Sequence, residues 1–257
     1  MPTSLSFERH VAITEAAGAR LAALVAEAGL GAAVPTCPAW DARALMAHQA
    51  MVHRWSTAQI TGAAPEAVPN QTTLRERPDL TAYYDQGLAL LLAALRAAPA
   101  DLTAMTFLND APPPRHFWAR RQAHETTMHA VDALAAVLGR TPTAAEADIE
   151  PEVAVDGLDE LLRGFFTRGR SKLFDGAEYT FVVAPSDSPR RWVVRVAERL
   201  TVDPGDDATP PSDAAAELRG TAAQLYLGLW NRGDEMDVRG DADVAARWRT
   251  TQRVTWS

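Results

Sequence analysis

Four amphipathic segments before residue 140 constrain this chain more than any other feature of its sequence. Over residues 6–29, Phe7, Val11, Leu21, Leu24 and Ala28 recur at helical spacing, and Gly29 and Gly31 stop the run. Asp41 is placed to cap a second helix over 42–60, where Leu45, His48, Val52 and Trp55 share one side. Asp79 is placed to cap a third over 80–98, with Tyr84, Leu88, Leu91 and Leu95 in register and Pro99 at its end. The fourth spans 113–138 and opens on prolines, which suit a first helical turn. Four such segments in succession predict a four-helix bundle, a fold that builds metal sites from side chains on facing helices.

The fourth segment has the chemistry to match. Glu125 and His129 stand four residues apart, which puts both on one helix face a turn apart. A carboxylate and an imidazole so placed can hold one divalent metal, or form a plain surface pair. The same side carries Trp118, Gln122 and Asp132, a polar strip where a bundle helix needs apolar residues. Asp132, one turn past His129, is placed either to fix the imidazole tautomer or to face water. His124 faces about 100° away from Glu125. On the second helix His48 points inward with the apolar stripe, as a third ligand or as a satisfied buried histidine. His53, five residues on, is turned by about 140° and is expected outside or at an edge. His10 reads as a core-edge histidine or a ligand, and Cys37, between Pro35 and Pro38, as a small structural thiol or a nucleophile, although no basic residue lies next to it to lower its pKa.

The texture changes after Gly139. Residues 140–152 read as a linker, 153–168 as a helix, and Tyr179–Ala184, Trp192–Val196 and Leu200–Val202 as short strands. Residues 203–212 form a polar loop. A helix capped by Thr221 follows over 221–231, then a short run at Met236–Val238 and a helix at 241–249. The expected architecture is therefore a helical domain over 1–140 and an α+β domain over 150–257.

Charge and composition exclude several classes. The net charge is −8, with no basic stripe or tail, which argues against nucleic acid as a partner. No apolar run approaches the ~20 residues needed to cross a bilayer, and no export signal is visible, so a cytoplasmic protein is expected. A single cysteine permits no internal disulfide.

Three motifs in order carry a resemblance. Pro35-Thr36-Cys37-Pro38-Ala39-Trp40-Asp41, with His48 and His53-Arg54-Trp55 after it, resembles the N-terminal signature of the mycothiol-dependent maleylpyruvate isomerase family. Arg120 to Ala133 resembles that family's second signature, and Gly220 to Arg232 its sterol-carrier-like C-terminal domain. The resemblance implies a DinB-like up-down four-helix bundle that holds one divalent metal, usually zinc, through His48, Glu125 and His129. It implies mycothiol as cosubstrate. The metal-bound thiolate would add to a small electrophilic substrate, in cis–trans isomerisation of maleylpyruvate to fumarylpyruvate or in S-transfer. An arginine of the second domain would hold the anionic substrate. Arg232 is the matching position, although Asn231 stands where the family carries glycine, and Arg195 and Arg239 are the other possibilities. The alternative outside enzymology is a small-molecule-binding protein that uses the C-terminal domain's cavity.

Overall fold

The computed structural model describes residues 5–205 and 211–252. The chain divides into two compact units, one formed by Leu5–Phe107 with Pro112–Pro142, the other by Leu108–Ala111 with the residues from Thr143 onward.

The first unit is helical: α1 (Phe7–Ala28), α2 (Ala42–Thr61), the short α3 (Gln71–Arg75), α4 (Leu80–Ala97) and α5 (Pro114–Leu138). Each boundary has a local cause. The Ser6 hydroxyl accepts from the Arg9 N–H at 3.1 Å, and the Asp41 carboxylate accepts from the Ala44 N–H at 2.7 Å, so both helix starts satisfy a donor that has no partner within the helix. Gly62 and Gly139 end α2 and α5 in the left-handed conformation that glycine adopts without strain. Asp79 does not cap α4 as the sequence suggested, because its carboxylate is drawn to Arg77 at 2.7 Å instead. The polar connection over 61–78 contains α3, which Asn70 caps through the Thr73 N–H at 2.9 Å.

Helix α5 packs along α1 and α2, and α4 packs along α2 and α1. Between them lies an apolar core that includes Leu21, Val25, Leu45, Met46, Tyr84, Ala130 and Ala133. Each fully buried leucine contributes about 1.5–3 kcal/mol relative to exposure. The Tyr84 hydroxyl, deep in this core, donates to the Gly18 carbonyl at 3.0 Å, which removes the cost of burying it. α5 is the exception to amphipathic packing: every residue from Phe117 to Ala133 is buried, charged ones included. The polar strip read in its sequence belongs to a helix whose residues are buried on every side.

The second unit is α+β. α6 (Ala144–Ala147) lies within the expected linker and is held by a capping box between Thr143 and Glu146. α7 (Pro151–Asp159) runs into a π-helical turn over Glu160–Phe165. β1 (Tyr179–Pro185), β2 (Arg191–Val196), β3 (Thr201–Gly205), β4 (Ala216–Gly220) and β5 (Asp237–Gly240) form one sheet in the order β3-β2-β1-β4-β5. β1 and β4 run parallel with Phe181 opposite Ala216, and the remaining pairs are antiparallel. α8 (Ala222–Leu229) starts at the Thr221 capping box with Gln224, as its sequence predicted, and α9 (Asp243–Thr251) follows β5. The expected loop over 203–212 is strand as far as Gly205, and its residues 206–210 lie outside the described chain. Trp192 and Trp248 are fully buried in this unit, their indole N–H groups donating to Asp159 (3.1 Å) and to the Leu229 carbonyl (2.8 Å). Among the described residues no helix is long and apolar enough to cross a membrane.

Candidate metal centre

Within the helical unit, α2 contributes His48 and α5 contributes Glu125 and His129 to one buried cluster. His48 Nε2 and His129 Nε2 each stand 3.3 Å from the same carboxylate oxygen, Glu125 Oε1. All three donor atoms lie within 4.8 Å of one another. A tetrahedral ion with ligand bonds of about 2.0–2.1 Å has donor–donor edges of about 3.3–3.4 Å. Two of the three edges therefore already have the length a zinc-type ion requires, and the donor set fits such an ion. Three protein donors leave a fourth position open, the arrangement of catalytic sites.

The surrounding groups fix how each donor is presented. Arg121, one turn before Glu125 on α5, donates to Glu125 Oε2 at 2.9 Å and leaves Oε1 for the cluster. The Asp132 carboxylate is fully buried and takes the His129 Nδ1–H at 2.9 Å, so Nε2 is the nitrogen turned toward Glu125. Asp132 is itself held from the loop between α1 and α2. The Thr36 hydroxyl donates to Oδ1 at 2.6 Å, and the Cys37 thiol lies 3.5 Å from Oδ2. In the same loop the Trp40 indole lies against both imidazoles, with ring centroids 4.9 Å from His48 and 5.8 Å from His129.

Burial and charge set the protonation states. Burial alone would raise the Glu125 carboxyl, but hydrogen bonds from His129 and His48 and the charges of His129 and Arg121 outweigh it and hold the group well below the usual carboxylate range. Burial pulls His48 down, and its hydrogen bond to Glu125 only partly offsets this. Burial acts on His129 too, but its hydrogen bonds to Asp132 and Glu125 dominate and raise it to about 9. The two histidines thus differ: one gives up its proton readily, the other holds a proton between two carboxylates.

The structure brings together the three residues singled out in the sequence. It also corrects the reading of their neighbours. His53 is not at an edge but fully buried, with its ring 5.4 Å from Tyr84. Its Nε2 accepts from the Gln49 amide at 2.8 Å and lies 3.2 Å from the Thr126 hydroxyl. α2 packs on α4 as well as α5, and the His53 ring lies against Tyr84 of one and Thr126 of the other, so its rotation of about 140° from His48 does not bring it to solvent. Burial drives His53 down to about 3, which keeps the ring neutral. Cys37 is half-buried, with its thiol 3.5 Å from an Asp132 oxygen. His124 is buried outside the cluster, in edge contact with His10 at 6.2 Å.

Arg232 belongs to the other unit, half-buried, with its guanidinium donating to the Trp230 carbonyl at 3.0 Å. Asn231 before it has φ 60°, directly after the end of α8. That left-handed position is one on which helices commonly end with glycine or asparagine. Arg195 and Arg239 are exposed on their strands, and Arg195 faces Asp203 at 3.4 Å.

An all-round buried helix carrying a His/Glu/His cluster in a helical bundle, followed by a small mixed α+β unit, defines a two-part protein with a bundle-borne metal-type site. Residues 11–134 match the mycothiol maleylpyruvate isomerase N-terminal domain, and residues 152–247 match that family's C-terminal domain. The chain belongs to the mycothiol maleylpyruvate isomerase family. The crystal structure of the mycothiol-dependent maleylpyruvate isomerase superposes with a TM-score of 0.62 at 18% identity, covering 94% of this chain and 98% of that one. A histidine-to-alanine form of that enzyme matches with a TM-score of 0.61 at 17% identity over the same shares. No curated protein sequence matches the chain.

Proposed function

We propose that this chain is a metal-dependent enzyme that uses a low-molecular-weight thiol, mycothiol, to act on a small electrophilic substrate. The reaction is cis–trans isomerisation of a maleylpyruvate-like acid, or transfer of the thiol to an electrophile. The observation that carries the reading is the pair of 3.3 Å separations that bring His48 Nε2 and His129 Nε2 to one oxygen of Glu125. In this reading His48, Glu125 and His129 hold one divalent cation; the family resemblance points to zinc, whose ligands include imidazole and carboxylate. A cation bound there supplies a Lewis acid that keeps a thiol sulfur ionised at neutral pH.

The chain's own residues do the rest. Arg121 restricts Glu125 to one ligand oxygen, and Asp132 keeps the His129 proton on Nδ1 so that Nε2 presents its lone pair. Trp40 shields the imidazole pair from water on the side of its loop. Addition of a thiolate to a cis double bond leaves a single bond that rotates, and elimination of the same thiolate then gives the trans isomer. The charge that develops is that of an enolate beside a carboxylate. A guanidinium fork would pair with such a carboxylate in two-point geometry, and Arg232 is the candidate that the family resemblance offers, with Arg195 and Arg239 as the other possibilities.

Elemental analysis of the purified protein, with His129→Ala as control, tests the cluster; wild type without bound divalent metal overturns the ligand assignment. Thiol binding measured with and without chelator tests the cosubstrate, and equal binding in both rejects a metal-dependent thiol. Parallel isomerisation and S-transfer assays then choose the reaction, and inactivity in both favours a binding protein.

A further inference from the structure

The loop between α1 and α2 provides no donor to the cluster, yet it touches the cluster's supports at two points. We propose that Thr36 is a positioning residue for the metal centre, acting through Asp132 on His129. The proposal rests on the metal reading given above.

His129 can offer Nε2 only while its other nitrogen keeps a proton and its ring keeps one orientation. Asp132 supplies both, but it stands three residues along the same helix, the Cys37 thiol lies 3.5 Å from its Oδ2, and its side-chain bonds leave a carboxylate freedom to turn until both oxygens are engaged. The Thr36 hydroxyl removes that freedom. It takes Oδ1 at 2.6 Å, within the range of a charge-assisted O–H···O bond, and leaves Oδ2 for the His129 Nδ1–H at 2.9 Å. Asp132 is fully buried, so these bonds are not traded for water.

The loop is built to hold such a hydroxyl still. Pro35 and Pro38 restrict its backbone. The Cys37 N–H donates to the Val34 carbonyl at 2.9 Å, the Trp40 N–H to the Cys37 carbonyl at 2.8 Å, and the Val34 N–H to the Trp40 carbonyl at 3.1 Å. A bridge between Ala33 and Asp41 closes its base. The same closed loop sets the Trp40 ring against both imidazoles. The histidine ligands are therefore oriented from outside their own helices, by a rigid segment that meets one through a carboxylate and both through an aromatic face.

The test titrates zinc into chelator-stripped full-length protein against a competing chromophoric chelator. Thr36→Val keeps the branched shape and removes the hydroxyl; Thr36→Ala removes both; Thr36→Ser restores the hydroxyl. Loss of a hydrogen bond that supports a metal ligand weakens affinity by about tenfold or more, so both hydroxyl deletions are expected to bind zinc roughly tenfold more weakly and Thr36→Ser about as tightly as wild type. In the metal-free protein a downfield imidazole N–H proton resonance, assigned by its loss in His129→Ala, is expected to persist in Thr36→Ser and to broaden in the deletions. A folded deletion variant with wild-type zinc affinity and an unchanged resonance overturns the proposal. Wild type that binds no zinc overturns the metal reading itself, which the first titration separates from failure of the Thr36 argument alone.

Discussion

Metal binding at this cluster should release about one proton per ion near neutral pH, and that proton should come from His129. In the folded, metal-free protein His129 is raised from 6.5 to about 9, because its bonds to Asp132 and Glu125 outweigh burial. A cation needs the Nε2 lone pair, so the Nε2 proton must leave first. Near pH 7 that competition reduces apparent affinity by about a hundredfold, or about 2.7 kcal/mol, which is two units below the titration point at 1.36 kcal/mol each. Affinity should climb about tenfold per pH unit from pH 7 and level off near pH 9. His48 and Glu125 add little to this slope, because both are shifted below their ordinary values and are already deprotonated. Isothermal titration calorimetry with zinc, in two buffers of different ionisation enthalpy, measures the proton count directly. Asp132→Asn removes a main cause of the raised value, so it should shrink both the proton count and the pH dependence. Zinc binding in wild type with no proton release, and with affinity flat between pH 6 and 9, would refute the reasoning.

The metal-free protein should lose stability on the alkaline side. His129 is raised in the folded state, so its contribution is complete below about pH 6.5 and fades as pH rises through about 9; denaturant unfolding of metal-free protein across that window should fall by up to about 3 kcal/mol, and the fall should vanish in His129→Ala. Gly240 has φ 90°, and a Cβ there would strike the Ala215 carbonyl, so Gly240→Ala should cost about 1–3 kcal/mol in denaturant unfolding; an unchanged midpoint would show that β4 and β5 can separate without loss.

The main helices were legible because their apolar residues repeat at a fixed interval, and the His48, Glu125 and His129 cluster because two of its members share one helix face and the third sits on an inward stripe. Arg121 was missed, although its place four residues before Glu125 obeys the same spacing rule that marked His129. The loop's part was not legible. Thr36 and Asp132 lie 96 positions apart, and no periodicity in either segment announces that a threonine hydroxyl meets a carboxylate. His53 was misread because helical rotation gives only an angle, and which angles are wet depends on how many neighbours the helix acquires. β4 was missed because Ala216-Glu217-Leu218-Arg219-Gly220 is short and carries two charged residues; its strand character comes from the register beside β1, a non-local pairing.

α5 has no face left over. On most helices a third or more of the positions are free to drift, because they meet only solvent; from Phe117 to Ala133 no position on this one does. A substitution there is judged twice, once by the packing it disturbs and once by the donors it shifts. Variation in what this centre accepts must then enter from the side: through residues that border the cluster without belonging to its helix, as those of the Val34–Asp41 turn do. A library aimed at new substrates would do better to vary that turn's outer positions and leave α5 untouched.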